Sequence, residues 1–203
     1  MKIICIGRNY AKHAREMNSP LPTEPVFFMK PDTAILPKNN PFFIPDFTKD
    51  LHYEGELVIK IKKLGKNIAE RYAHEYYDEI GFGIDFTARD LQRKCKENGL
   101  PWEIAKSFEH SAPIGPKFLQ KSSLDMENLE FSLLKNGEEV QHGSVKDMIF
   151  SIDQIIAYLS QFMTLKIGDL IFTGTPEGVG PVNIGDTLEG FIGDEKLLNL
   201  RIK

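Results

Sequence analysis

The stretch LHYEGELVIK, residues 51–60, constrains this chain more than any other. Leu57, Val58, Ile59 and, just beyond, Ile61 give it the apolar, β-branched weight of a strand. A strand sends alternate side chains to one face, so His52, Glu54 and Glu56 are expected to point the same way. Two carboxylates one strand period apart repel each other unless positive charge lies between them. A hard divalent cation such as Mg2+ supplies that charge, because it takes oxygen ligands. The wet face of a half-buried strand shows the same alternation, so the strand alone leaves both readings open.

A third acid lies downstream. Residues 80–87, IGFGIDFT, read as a strand in which Asp85 is the one charged residue. An acid in an apolar strand is costly unless it is paired or binds metal. Gly81 and Gly83 predict close approach of another backbone. A helix over residues 88–98, closed by Gly99, then places Arg89 and Gln92 on one face near Asp85.

Upstream, residues 7–17 read GRNYAKHAREM, with Asn9 as the expected N-cap of a two-turn helix over residues 10–17. His13 and Glu16 are three apart and so neighbours. A carboxylate beside an imidazole fixes its tautomer and favours the imidazolium, which suits general-base work. A solvated ion pair fits the same spacing. Residues 18–25, NSPLPTEP, hold three prolines and read as a surface loop or lid.

The remaining segments point to a β-rich chain with few helices. Residues 26–29 form an expected strand, and prolines at 31, 37, 41 and 45 break the chain into short extended pieces. Ile68, Tyr72 and Tyr76, four apart, predict a helix over residues 67–79. Residues 99–116 are loop-like and contain Trp102 and Lys106, the latter a surface lysine or an anion anchor. Asn136-Gly137 predicts a type I′ hairpin, and Ser151 with Gln154 a capping box before a helix over residues 152–163. Residues 168–181, GDLIFTGTPEGVGP, read as a strand and a glycine-rich loop. That loop lacks the lysine of a phosphate-binding P-loop, so Thr173, Thr175 and open amides are expected to hold a small anion instead. Ile-Gly-Asp recurs at 167, 184 and 192 as turn chemistry, with a final hairpin through Gly193-Asp194.

Composition narrows the class. At 203 residues, with 41% hydrophobic and 27% charged residues, one domain with its own core is expected. A net charge of −4 argues against nucleic acid or an anionic membrane as partner. No apolar run reaches the roughly 20 residues of a membrane span, and the start shows no signal pattern, so a cytoplasmic location is expected. Two cysteines make neither a disulfide framework nor a zinc site, and Cys5 reads as a small buried hydrophobe.

Seven segments together resemble the fumarylacetoacetate hydrolase superfamily, in its short acylpyruvate hydrolase and oxaloacetate decarboxylase branch. They are GRNYAKHAREM, EPVFFMKP, HYEGELVIKI, GFGIDFTARDLQ, GLPWEIAKSF, MIFSIDQIIAYLS and GDLIFTGTPEGVGP, in order from residue 7 to 181. The resemblance implies an α+β fold, a mixed β-sandwich roll with a few peripheral helices, usually as a homodimer. It implies metal ligands at Glu54, Glu56 and Asp85, for Mg2+ with Mn2+ or Ca2+ as substitutes. It implies a catalytic pair, His13 and Glu16, on a lid, with Lys106 also catalytic, and substrate contacts at Arg8, Arg89, Gln92 and Thr175. The longer eukaryotic members carry an added amino-terminal domain with a further acidic ligand. This sequence shows none, which makes fumarylacetoacetate a less expected substrate.

The implied reaction is cleavage of a carbon–carbon bond in acylpyruvate-type 2,4-dioxo acids to pyruvate and a carboxylic acid. His13, supported by Glu16, would deprotonate the attacking water, and a Lewis-acidic metal would stabilise the enolate that leaves. The same site would decarboxylate or tautomerise oxaloacetate. The alternatives are an isomerase or decarboxylase of unsaturated dicarboxylates, of the 2-hydroxyhepta-2,4-diene-1,7-dioate isomerase type, and a metal-binding module without activity.

Overall fold

The computed structural model describes residues 1–17, 20–37 and 40–203. In chain order these form β1 (Ile3–Gly7), α1 (Ala11–Glu16), β2 (Val26–Lys30), β3 (Leu51–Tyr53), β4 (Gly55–Ile61) and α2 (Glu70–Ala73). There follow β5 (Tyr77–Ile84), β6 (Thr87–Ala88), α3 (Arg89–Glu97), α4 (Glu103–Lys106), β7 (Leu119–Gln120), β8 (Glu130–Lys135) and β9 (Glu138–Ser144). The chain ends with α5 (Ile152–Phe162), β10 (Leu170–Phe172), β11 (Gly180–Pro181), β12 (Thr187–Ile192) and β13 (Glu195–Arg201). It is an α+β fold of mixed sheets with few helices. No helix among the described residues is long and apolar enough to cross a membrane.

Three sheets result, with strand orders β2-β1-β10-β4-β5-β7, β11-β3-β6 and β13-β12-β8-β9. Among the described strands only the β1–β10 pair is parallel, with Ile3 opposite Leu170. The six-stranded sheet is buried on both faces. Ile4, Ile6, Leu57, Ile59 and Ile171 enter the large core, whereas Ile3, Cys5, Val58, Leu170 and Phe172 form a smaller cluster on the other side. Burial of both faces explains the near-continuous apolar runs in these strands. It also removes the wet-face reading of residues 51–60, since Glu54 and Glu56 are buried at 5% and 1% exposure. The four-stranded sheet closes over the large core, where Phe131 meets Phe82 of β5 edge-on at 6.2 Å.

Local chemistry decides several elements as expected. Asn136 and Gly137 take φ of 55° and 85°, the two positive values a type I′ turn needs. Ser151 and Gln154 complete a reciprocal capping box at the start of α5. The glycines of all three Ile-Gly-Asp turns have positive φ.

Elsewhere tertiary structure overrides the local pattern. The helix expected over residues 67–79 shrinks to α2, because Asn67 sits in the left-handed region at φ 53° and Tyr72 faces solvent. From Tyr77 the chain pairs as β5 instead. Asn9 is not an N-cap: Tyr10 precedes α1 without a side-chain cap, and the Asn9 side chain ties distant segments together. Gly81 and Gly83 face aromatic rings rather than backbone, since a Cβ there would lie 2.8 Å from Phe118 and 2.7 Å from Phe172. Residues 20–25 of the expected lid form neither helix nor strand; Asn18 and Ser19 lie outside the described residues.

Candidate active site

The expected single strand over residues 51–60 is two strands in two sheets. β3 pairs with β6 and β11, whereas β4 pairs with β5 and β10. Glu54 sits between them, and the Asp85 N–H donates to its carbonyl at 2.8 Å. Asp85 lies at the matching break between β5 and β6. His52 does not line the cleft with Glu54 and Glu56; the strand breaks after Tyr53, and His52 pairs with Asp50 at 2.8 Å.

At this joint one carboxylate oxygen each of Glu54, Glu56 and Asp85 lies within 4.8 Å of the others. Buried cations offset two of the acids. Glu54 meets Arg89 at 2.7 Å and Lys106 at 2.8 Å; Asp85 meets Lys106 at 2.6 Å and Lys30 at 2.8 Å. Burial pushes Glu54 upward, but Lys106 and Arg89 outweigh it and hold the carboxyl below its usual range. Glu56 makes no ion pair among the described residues, and its Oε2 accepts from the Gly174 N–H at 2.7 Å. Burial, then Asp85 and Glu54, push its pKa well above the ordinary value. The Lys30 contact to Asp85 Oδ1 lacks hydrogen-bond alignment, so that oxygen keeps lone pairs to offer. Three buried oxygen donors with unrelieved repulsion at one of them fit a hard divalent cation.

His13 closes the same cleft. It is 7% exposed, and its Nδ1 lies 3.1 Å from Glu16 Oε2, while Glu16 Oε1 accepts from the Gly178 N–H at 3.2 Å. With Nδ1 donating to the carboxylate, Nε2 is left as the acceptor. The cleft encloses about 40 Å³ and is lined by His13, the three acids, Arg8, Arg89, Gln92, Lys106 and Thr175, together with Lys96 and Trp102. Arg89 donates to Gln92 Oε1 at 2.9 Å, and its Nε–H is buried without an acceptor among the described residues. The structure thus brings the sequence-predicted site residues around one cleft, with Glu16 joined to it through His13.

The sequence profile of the family described as "Fumarylacetoacetate (FAA) hydrolase C-terminal" matches residues 2–202. The chain belongs to this family of enzymes. It is 44% identical over 201 residues to "Oxaloacetate tautomerase FAHD1, mitochondrial" of Bos taurus, covering 99% of this chain and 90% of that protein. It is 43% identical to "Oxaloacetate tautomerase YcgM" of Escherichia coli, covering 92% and 86%. In fold it matches a crystal structure of fumarylpyruvate hydrolase from Pseudomonas aeruginosa in complex with Mn2+ and pyruvate. The TM-score is 0.93 at 41% identity, over 100% of this chain and 89% of that one.

Sequence reasoning missed several groups that support this fumarylacetoacetate hydrolase-type site. Lys30, just past the strand expected over residues 26–29, is 2% exposed and also donates to the carbonyls of Phe86, Lys106 and Ser111. Gln141 accepts from the Gly55 N–H and donates to Thr175 Oγ1, both at 2.8 Å, and to the Pro176 carbonyl at 3.0 Å. Asn9 donates to the Thr173 and Phe150 carbonyls and accepts from the Phe150 N–H. The anion-holding role expected of Thr173 and the loop amides is corrected. Thr173 is fully buried and donates to the Leu57 carbonyl, while the Gly174 and Gly178 amides serve Glu56 and Glu16. Gly174 adopts φ 102° to do so, a conformation that favours glycine.

Proposed function

We propose that this enzyme interconverts the keto and enol forms of a short 2-oxo acid, oxaloacetate in the first instance, with Mg2+ held by Glu54, Glu56 and Asp85. The observation that supports it best is the placing of His13, backed by Glu16, in the same small cleft as the three acids. The metal would supply Lewis-acid stabilisation of the substrate oxygens. In the keto-to-enol direction His13 Nε2 takes a proton from the carbon beside the keto group. The C–H electron pair becomes the carbon–carbon double bond, and the carbonyl pair moves onto the oxygen. His13 then returns the proton to that oxygen, so nothing is consumed. Arg89 and Lys106, both facing the cleft, offset negative charge, and the unused Arg89 Nε–H offers a donor for a substrate oxygen. The relatives named oxaloacetate tautomerase support the same choice.

Hydrolysis of an acylpyruvate is the second reading, favoured by the His13–Glu16 pair, which equally suits deprotonation of water. The neighbour named fumarylpyruvate hydrolase supports it. A cytoplasmic homodimer completes the proposal.

The test follows enol absorbance of oxaloacetate, CO2 release from it and acetylpyruvate cleavage, each with Mg2+ and with chelator. We expect Mg2+-dependent tautomerisation to be fastest. His13→Gln should slow it by about 10²–10⁴-fold, the usual worth of a general base. Acetylpyruvate cleavage without tautomerisation would replace the first reading with the second.

A further inference from the structure

Two cations in the cleft are not committed to the acids. Lys30, Arg89 and Lys106 each pair with Glu54 or Asp85. Arg8 and Lys96 also line the cleft, yet neither makes an ion pair among the described residues. Both approach one ring: Arg8 Cζ lies 6.0 Å and Lys96 Nζ 5.9 Å from the centroid of Trp102. The ring is held edge-on against Phe28 at 6.1 Å, which gives the two charges a fixed flat wall.

The sequence of α3 extends the pattern outward. Arg89, Gln92 and Lys96 fall at positions i, i+3 and i+7 of α3, one face of a helix. Arg89 is bound to Glu54 at the inner end, and Lys96 lies about 10 Å further along the axis, next to Trp102. Arg8 enters from the turn after β1 with φ 61°, a left-handed conformation that an arginine rarely adopts and that surrounding structure must enforce. Burial, then Arg89 and Arg8, lower the Lys96 pKa, so an anion here would relieve repulsion among cations.

We propose that Lys96 and Arg8, mounted on Trp102, form a subsite for the far carboxylate of the substrate and select 2-oxo dicarboxylates over monocarboxylates of equal length. This rests on the 2-oxo acid reading of the metal end of the cleft. The metal end takes the 2-oxo carboxylate; the Lys96 end takes the second. Lys96 is open to water at the cleft mouth, so its charge is worth the low end of a charge-assisted contact, roughly five- to tenfold in affinity.

Calorimetry on the Mg2+-loaded protein tests this with three ligands: oxalate, which has no tail, 2-oxoglutarate, and 2-oxovalerate, its monocarboxylate counterpart. The native protein should bind 2-oxoglutarate at least fivefold more tightly than 2-oxovalerate. Lys96→Met should remove most of that preference while oxalate affinity stays within twofold, and Lys96→Arg should restore it. No preference in the native protein, a preference that survives Lys96→Met, or a parallel loss of oxalate binding would overturn the subsite. Failure of the native protein to bind oxalate would remove the 2-oxo acid reading itself, and the subsite with it.

Discussion

Replacing Gln141 with leucine tests whether the buried polar frame around the joint is as important as the acids it positions. Gln141 is 3% exposed and joins β9 to both β4 and the glycine-rich loop through three hydrogen bonds. Leucine matches its volume closely, so little cavity is expected. What changes is satisfaction: the Gly55 N–H and the Pro176 carbonyl lose the partner recorded for each. Each orphaned buried group costs about 1–3 kcal/mol, so Gln141→Leu should destabilise the protein by about 2–6 kcal/mol. With a urea m-value of about 2 kcal/mol/M, the midpoint should fall by about 1–3 M. Thr175 keeps its bond to the Gly55 carbonyl but loses its tether to Gln141. Turnover should therefore fall even at temperatures where the variant stays folded. Gln141→Glu is a useful control, because it keeps the acceptor for Gly55 but turns a carboxylate toward the Pro176 carbonyl. It should be no better than leucine. The measurements are urea denaturation followed by circular dichroism, and oxaloacetate turnover at saturating Mg2+. A loss under 1 kcal/mol with native turnover would refute the argument that this network holds the loop.

Two further predictions concern the acids. Asp85→Asn should abolish Mg2+ binding by calorimetry and also destabilise the metal-free protein by about 3 kcal/mol, since Lys30 and Lys106 lose a buried partner; native metal affinity would rule out the three-acid site. Glu56 has a folded pKa raised by burial and by Asp85 and Glu54, so its stabilising contribution is full below the ordinary value of 4.5 and is lost as pH rises through the folded value. Mg2+ requires the carboxylate, so binding at mildly acidic pH should release a proton, read from calorimetry in buffers of different ionisation enthalpy. Glu56→Gln should lose that release, and a proton count unaffected by metal would contradict it.

What the sequence made legible was chemistry set by near neighbours. Asn136-Gly137 and Ser151 with Gln154 need only their own turns, and both appear as read. His13 and Glu16 meet because three residues of helix bring them together. Glu54 and Glu56 stood out by their spacing of one strand period, and Asp85 as the one charge in an apolar strand. The joint itself was not legible. Residues 51–60 have strand propensity throughout, and the change of sheet at Glu54 is decided by which partners pair on either side, β6 and β11 or β5 and β10. Glu54-Gly55 was the one local sign, since glycine inside a strand often marks an irregularity. Lys30, Gln141 and Asn9 were missed for a related reason: a buried polar residue is informative only once its distant partners are known. Lys96 is one of several charges on its helix and carries no sequence signal of its own; only the approach of Trp102 distinguishes it.

The position of the site follows from the sheets. In the six-stranded sheet β10, β4 and β5 lie side by side; in the three-stranded sheet β11, β3 and β6 repeat that order. Each pair is consecutive in sequence, so three neighbouring strands leave one sheet and enter another at the same level. A break in one strand leaves unpaired backbone groups, which must find partners or stay wet. Here the three breaks serve one another: the Asp85 N–H goes to the Glu54 carbonyl and the Gly174 N–H to Glu56. Thr175, in the loop between β10 and β11, donates to the Gly55 carbonyl. The separation of the sheets opens the cleft, and Glu54, Asp85 and Thr175 at the breaks are among the residues that line it. Glu54 and Asp85 therefore sit in breaks of one and two residues flanked by paired strands rather than in long loops, which suits a site whose ligands must converge on one ion. The longest break, residues 173–179 between β10 and β11, is where Glu16 reaches in to the Gly178 amide, so His13 and its partner are anchored to the same joint as the acids. Substitutions that disturb this joint should therefore impair the metal end and the His13 end together, whereas substitutions at Lys96, one face of α3 further out, should change only which acid is chosen.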